Sequence, residues 1–217
     1  MHEKPDLKID WATHEAAKYA CENWHYSKCL PVGKLVKVGA WENGKFIGVV
    51  IFARGANYNM AKPYGLTQEE CVELVRVAMT KHLSPISKIT ALAIKFLKKQ
   101  SSTLKLIVSY ADPEQGHHGG IYQAMNWIYK GESAEAVKVF YNGKWSHKKT
   151  VDDAKVDQRN LRKKKVAGKH TYLFALTEEV LTDIKKLAKP YPKRVTKAPS
   201  EFPSDSGGAV PTHALQS

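Results

Sequence analysis

One stretch, Leu104–Gly131, LKLIVSYADPEQGHHGGIYQAMNWIYKG, constrains the fold more than any other. It reads as a strand, a polar loop, a short helix and a second strand. Leu104–Val108 is an apolar, β-branched run of strand length. Ser109–Gly120 then gathers hydroxyl, phenol, carboxylate, amide and imidazole side chains beside three glycines. Ile121–Asn126 predicts a helical turn or two, and Trp127–Tyr129 a short second strand. Ligands of α/β sheets collect where strands end at their carboxyl edge. Asp112-Pro113 and Gly119-Gly120 also suit ordinary turns. Two adjacent histidines and the Tyr122 that follows ask for more than a turn, and loops on rigid scaffolds carry function.

The flanking elements make this stretch part of a mixed α/β sheet. Asp10 is expected to cap a helix starting at Trp11, with Ala12, Ala16, Tyr19, Ala20 and Asn23 on one face. That helix ends near Trp24-His25-Tyr26-Ser27-Lys28, a run of five functional side chains that reads as a substrate-facing loop. Leu35–Trp41 and Lys45–Ala53 predict strands joined over Asn43-Gly44, a strong hairpin signal. Glu73–Met79 reads as a buried strand with Arg76 aimed at a functional face. A buried arginine needs an anion or a paired carboxylate, and by alternation Glu73 points the other way. Ser84 at the N-cap and Pro85 at the first position open an amphipathic helix with Ile86, Ile89, Ala93, Phe96 and Leu97 in one stripe. Glu73–Val108 is thus a strand-helix-strand crossover. Later, Val137–Tyr141 and Lys144–Ser146 predict a hairpin, Lys169–Leu176 a strand, and Thr177 caps a helix that stops at Pro190. The chain reads as a single domain over 1–197, with a Pro-, Ser- and Gly-rich tail over 198–217 that is expected to be disordered.

Charge narrows the partner. The 217-residue chain carries a net +13, and Val137–Lys197 alone holds 17 Lys+Arg against 6 Asp+Glu. Such clustering suggests a polyanion, most commonly nucleic acid. Lys28, Lys148, Lys149, Arg159, Arg162, Lys163, Lys164 and Lys165 are the candidate phosphate contacts, and a solvated lysine-rich surface is the plainer alternative. No run approaches the roughly 20 apolar residues of a membrane span, and the N-terminus lacks a signal-peptide apolar region. Three cysteines without a CxxC pair argue against a disulfide frame or zinc knuckle, so a cytoplasmic protein is expected.

The element order resembles the GCN5-related N-acyltransferase (GNAT) fold, a mostly antiparallel central sheet with flanking helices. Ile121–Trp127 followed by Gly131 resembles the helix and strand whose tyrosine protonates the leaving thiolate in those enzymes; here that residue is Tyr122. More specifically WHYSK, ELVRVAM and SYADPEQGHHGGIYQAMNWIYKG, within Trp24–Gly131, together resemble the bacteriophage Mom family. Those proteins convert adenine N6 in phage DNA to a carbamoylmethyl-type adduct that protects against restriction. The resemblance implies double-stranded DNA as substrate, an acyl donor, and the host cytoplasm as location. One departure bears on the donor. Acyl-CoA enzymes of this fold place a glycine-containing loop before the helix, whose amides hold pyrophosphate. Here Thr80–Ser87, TKHLSPIS, has no glycine, and the glycines of Gln115–Gly120 fall one crossover later. Arg76, Ser84, Ser87, Gln115, Gly119 and Gly120 are the donor-binding candidates, with acetyl-CoA or glycyl-tRNA as the donor.

Adenine N6 is a poor nucleophile, so its attack on a carbonyl needs proton removal and oxyanion stabilisation. Asp112 is the expected base and Tyr122 the expected acid. Ser109, His25 and Tyr26 would position the base or polarise the carbonyl. His25, Tyr26 and Asp112 could instead present an N, O, O set that suits iron, but no ligand spacing calls for it and no metal site is assigned. An N-acyltransferase acting on a small amine or protein, and a non-catalytic DNA-binding protein, remain as alternatives.

Overall fold

The computed structural model describes residues 4–54 and 59–193, without the side chains of His147, Lys149, Thr150 and Asp153. The Lys149 side chain and the tail expected from Ala198 therefore lie outside the described residues. The main sheet has seven strands, in spatial order β1 (Leu7–Trp11), β2 (Leu35–Glu42), β3 (Lys45–Ala53), β4 (Cys71–Met79), β5 (Leu106–Ala111), β10 (His170–Ala175) and β6 (Ile128–Glu132). A second sheet joins β8 (Lys144–His147), β7 (Ala136–Tyr141) and β9 (Lys163–Val166). Within the main sheet β4 and β5 pair in parallel and the other neighbours are antiparallel. This is the mixed sheet that the element order implied, with the mostly antiparallel pairing that the acyltransferase resemblance implied. Helix α2 (Ile86–Gln100) makes the crossover and buries Ile89, Ala93, Ile94 and Leu97 against one face. Helices α1 (His14–Trp24) and α5 (Glu178–Lys185) cover the other. Among the described residues no helix is long and apolar enough to cross a membrane.

Three local expectations are corrected. Residues 7–11 form a strand, not the start of a helix: Leu7 and Ile9 alternate inward, while Lys8 and Asp10 pair at 3.1 Å. Helix α1 begins later, capped by Thr13, whose hydroxyl accepts the Ala16 amide at 3.1 Å. Its buried stripe is Ala17, Ala20 and Cys21, and Tyr19 is exposed. Pro85 rather than Ser84 occupies the N-cap position of helix α2, and no side chain caps it.

The feature that matters most for function lies in β4. Leu74 pairs with Phe52 of β3 but Arg76 pairs with the next residue, Ile51, so Val75 is an extra residue in a β-bulge. A bulge resets the two-residue alternation. Glu73 (opposite Ala53), Arg76 (opposite Ile51) and Ala78 consequently all lie on the side of the sheet that α1 and α5 cover. Parallel pairing with β5 stops at Leu74–Ser109. Beyond that point the two strands part.

Candidate active site

The gap between β4 and β5 is a cleft of about 230 Å3. His25, Tyr26, Arg76 and Tyr110 line it, together with Ile86, Gly120 and Tyr122. Arg76 and Tyr110 belong to the α1 face of the sheet and Tyr122 to the α2 face, so the cleft connects the two.

Ser109 lies behind Tyr122, fully buried at the last paired position of β5. Its Oγ lies 2.8 Å from the Leu74 carbonyl oxygen and 2.7 Å from the Tyr122 hydroxyl. A carbonyl can only accept, so the serine proton goes to Leu74 and the phenol donates to Ser109. Tyr122 sits in the short helix α3 (Gly120–Gln123), wedged between Trp127 and Tyr172. Burial pushes its phenol up to about 12, against the opposing pull of the Ser109 hydrogen bond. It is therefore a neutral acid at physiological pH. If Tyr122 gives up its proton, Ser109 can turn its own from Leu74 to the phenolate. Gly119 opens α3 in the left-handed region (φ 82°), and a Cβ there would lie 2.2 Å from the Tyr172 ring. That close approach lets the Tyr172 hydroxyl donate to the His118 carbonyl at 2.5 Å and fixes the loop.

His25 and Tyr26 follow α1. The His25 Nδ1 accepts the Ser27 amide at 3.1 Å, which leaves the ring proton on Nε2. Burial, with the nearby charges of Arg76 and His117, lowers its pKa to about 4. His25 is thus a neutral N–H donor rather than a base. Tyr26 stacks on it at 4.2 Å and meets the edge of His117 at 4.9 Å. Burial raises the Tyr26 pKa, opposed by Arg76. The Arg76 Nη1 donates to the Val75 carbonyl at 2.7 Å, while its Nε is buried with no partner among the described residues.

Asp112, the expected base, lies outside this cleft. It accepts the Glu114 amide at 3.0 Å as a turn cap, stands 3.9 Å from the Lys169 Nζ, and lines a neighbouring cavity of about 310 Å3. Tyr110 lines both spaces. Glu73 lines the second cavity as well, its carboxylate without a hydrogen bond among the described residues. Burial raises its pKa, while Lys169 and Arg76 lower it. Simple alternation hid this residue, because nothing in ELVRVAM marks the bulge. Chemically, Glu73 is the carboxylate best prepared to take a proton.

The donor-binding candidates separate. Arg76, Gly119 and Gly120 line the cleft, whereas Ser84, Ser87 and Gln115 do not. The amides of Leu83 and Ser84 donate to the buried Glu42 carboxylate at 2.7 and 2.8 Å. These bonds hold the Glu42 pKa below the usual carboxylate range. The chain's own anion occupies those two amides of the turn before α2.

Several basic candidates have internal partners. The Lys28 Nζ turns back to the Asn23 carbonyl at 3.0 Å. Lys148 pairs with Asp152, Arg159 with Asp157, Lys165 with Glu135 and Lys164 with Glu114, while Arg162 lies over Phe140. The exposed pairs of Lys148, Arg159 and Lys165 are worth little and open readily. On β9, Lys163 and Lys165 are exposed, whereas Lys164 is half-buried. Among the described residues no group of three His, Cys, Asp or Glu could hold a metal ion. His25 and Tyr26 face the cleft while Asp112 lines the neighbouring cavity.

Similar solved structures include the spermidine/spermine N-acetyltransferase SpeG of Vibrio cholerae, at 10% identity, covering 82% of this chain and 97% of that one, with a TM-score of 0.46. An acetyltransferase of Bacillus subtilis in complex with CoA is 13% identical, covering 80% and 100%, with a TM-score of 0.41. The methylcarbamoylase Mom of Escherichia phage Mu is 23% identical over 154 residues, 69% of this chain and 64% of that protein. The chain thus spans a little under two thirds of that relative's length. With the Mom protein family model matching residues 6–193, and the WHYSK, ELVRVAM and Gly119–Tyr122 segments meeting at one cleft, the chain belongs to the Mom family.

Proposed function

We propose that this protein acylates the N6 amine of adenine in DNA, as the first step to a carbamoylmethyl-type adduct. The observation that carries the reading is a cleft running through the sheet where β4 and β5 part, in a chain of the Mom family. The donor's carbonyl lies in that cleft. The His25 Nε2–H donates to the carbonyl oxygen as negative charge develops there. N6 forms its bond to the carbonyl carbon and passes a proton to Glu73. The bond to the leaving oxygen or sulfur breaks, and Tyr122 protonates that atom. Ser109 acts as a positioning residue behind Tyr122. Arg76 balances negative charge on the donor.

The donor we favour is glycyl-tRNA rather than acetyl-CoA. Glu42 fills amides in the turn before α2 where a pyrophosphate would need donors. Glycyl transfer gives N6–CO–CH2–NH2, with all the atoms of the adduct. The free amine then attacks purine C6 through a five-membered ring and expels the carboxamide nitrogen, leaving N6–CH2–CO–NH2. Acetyl transfer lacks the second nitrogen. Mass spectrometry of nucleosides from DNA of expressing cells tests the reading: a modified deoxyadenosine is expected, and only the four standard masses would overturn it.

A further inference from the structure

We propose that the cavity of about 310 Å3 beside the cleft is a pocket for a single adenine turned out of the duplex. The inference rests on the DNA-adenine reading above and names where the base sits. An amine stacked inside a duplex cannot reach a carbonyl held between two strands, so the base has to leave the stack.

The cavity lies where the main sheet meets the smaller one. Glu73 and Tyr110 form one side, and the linkers 133–135 and 167–169 the other. The linkers are laced together: the Ser133 amide donates to the Lys169 carbonyl at 2.9 Å, and the Lys169 amide to the Ser133 Oγ at 2.9 Å. Gly168 permits this contact, because a Cβ there would lie 1.8 Å from the Ser133 carbonyl oxygen. The wall is therefore formed before a ligand arrives. Its volume falls at the lower end of small-ligand pockets, about 300–1,000 Å3, which suits one base and not a stacked strand.

The polar lining selects the base. Met60, Ala134 and Ala136 offer apolar surface to ring faces. The Glu73 carboxylate has no hydrogen bond among the described residues, and beyond the oxygen accepting the Glu114 amide Asp112 keeps Oδ2, which stands 3.9 Å from the Lys169 Nζ. Adenine presents an N6 amine as donor and N7 as acceptor. The carboxylates accept from the amine, and the Lys169 ammonium supplies a donor for a ring nitrogen. Presented by that same N6/N7 edge, guanine would place its O6 against those carboxylates, and thymine and cytosine have no N7 for the ammonium. Tyr110 lines both spaces, so an amine at that end adjoins the reacting carbonyl.

Duplexes with one base opposite an abasic site present that base already unpaired, so it leaves the stack at a lower cost. By fluorescence anisotropy the full chain should bind adenine there about tenfold or more tighter than guanine. Ala134→Trp, which fills the cavity from an exposed position, should erase the preference. The isosteric Glu73→Gln should reduce it strongly, and it serves if Ala134→Trp does not fold. No preference in the wild type, or a preference that survives both changes, overturns the pocket. Modified deoxyadenosine in expressing cells without a preference in vitro removes the pocket alone. A preference with only standard nucleosides in cells removes the modification reading instead.

Discussion

His25 is held neutral by burial, and its stability linkage has a definite sign. Its folded pKa of about 4 lies below the ordinary 6.5, so the unfolded chain binds more protons between those values. Stability therefore rises with pH across that window and is lost as pH falls from 6.5 to 4, by up to about 3 kcal/mol from this group. Urea titrations of wild type and His25→Asn should diverge below pH 6.5, the wild type falling more steeply. Parallel curves would contradict a neutral buried imidazole. The catalytic assignments separate at this scale too. Tyr122→Phe and Glu73→Gln should each cut the modified-adenine fraction by about 10²–10⁴. Asp112→Asn should cost much less, because one Asp112 oxygen is committed to the Glu114 amide. A severe loss in Asp112→Asn with near-normal Glu73→Gln would return the base role to Asp112. Tyr122 was visible in the sequence because it follows a glycine-rich loop at a strand's carboxyl end. Glu73 was not, because its direction depends on a hydrogen-bond register that no side chain announces.

At the scale of elements, hydrophobic period served where one face was buried and failed where two readings competed. The α2 stripe, the Asn43-Gly44 hairpin and the Thr177 cap were legible since each is set by local chemistry. The segment 7–11 was misread because Asp10 looks like a cap, and only pairing with β2 fixes its alternation. The turn before α2 shows the same limit. A missing glycine is legible, but a carboxylate arriving from β2, some forty residues earlier, is not. Glu42→Ala should destabilise the fold by roughly 2–3 kcal/mol, since two amides lose a charged acceptor. Thermal denaturation measures this, and an unchanged midpoint would mean that Glu42 does not hold the turn.

At the scale of the molecule, the basic excess of Val137–Lys197 was plain in the sequence, but its distribution was not. The sequence read KKK at 163–165 as three equivalent contacts. As part of β9 the run alternates, so Lys163 and Lys165 are exposed while Lys164 is half-buried, paired to Glu114 at 3.3 Å and 5.2 Å from the Trp145 ring. Glu114 also holds Lys138, tying the second sheet to the loop after β5. On the DNA reading we therefore propose the two outward lysines as the phosphate contacts, with Lys164 as a strut. Replacing Lys163 and Lys165 together by Ala should weaken all duplex sequences alike and lower the slope of log K against log salt by about 1.8, at roughly 0.9 per lost contact. Lys164→Ala should leave that slope almost unchanged. It should instead lower the melting temperature, because Glu114 and the face of Trp145 lose a partner. Binding isotherms from low to moderate salt on two unrelated duplexes distinguish the cases. Equal slope losses from all three lysines would return the run to a flexible basic patch, and a loss confined to one duplex would mean base readout.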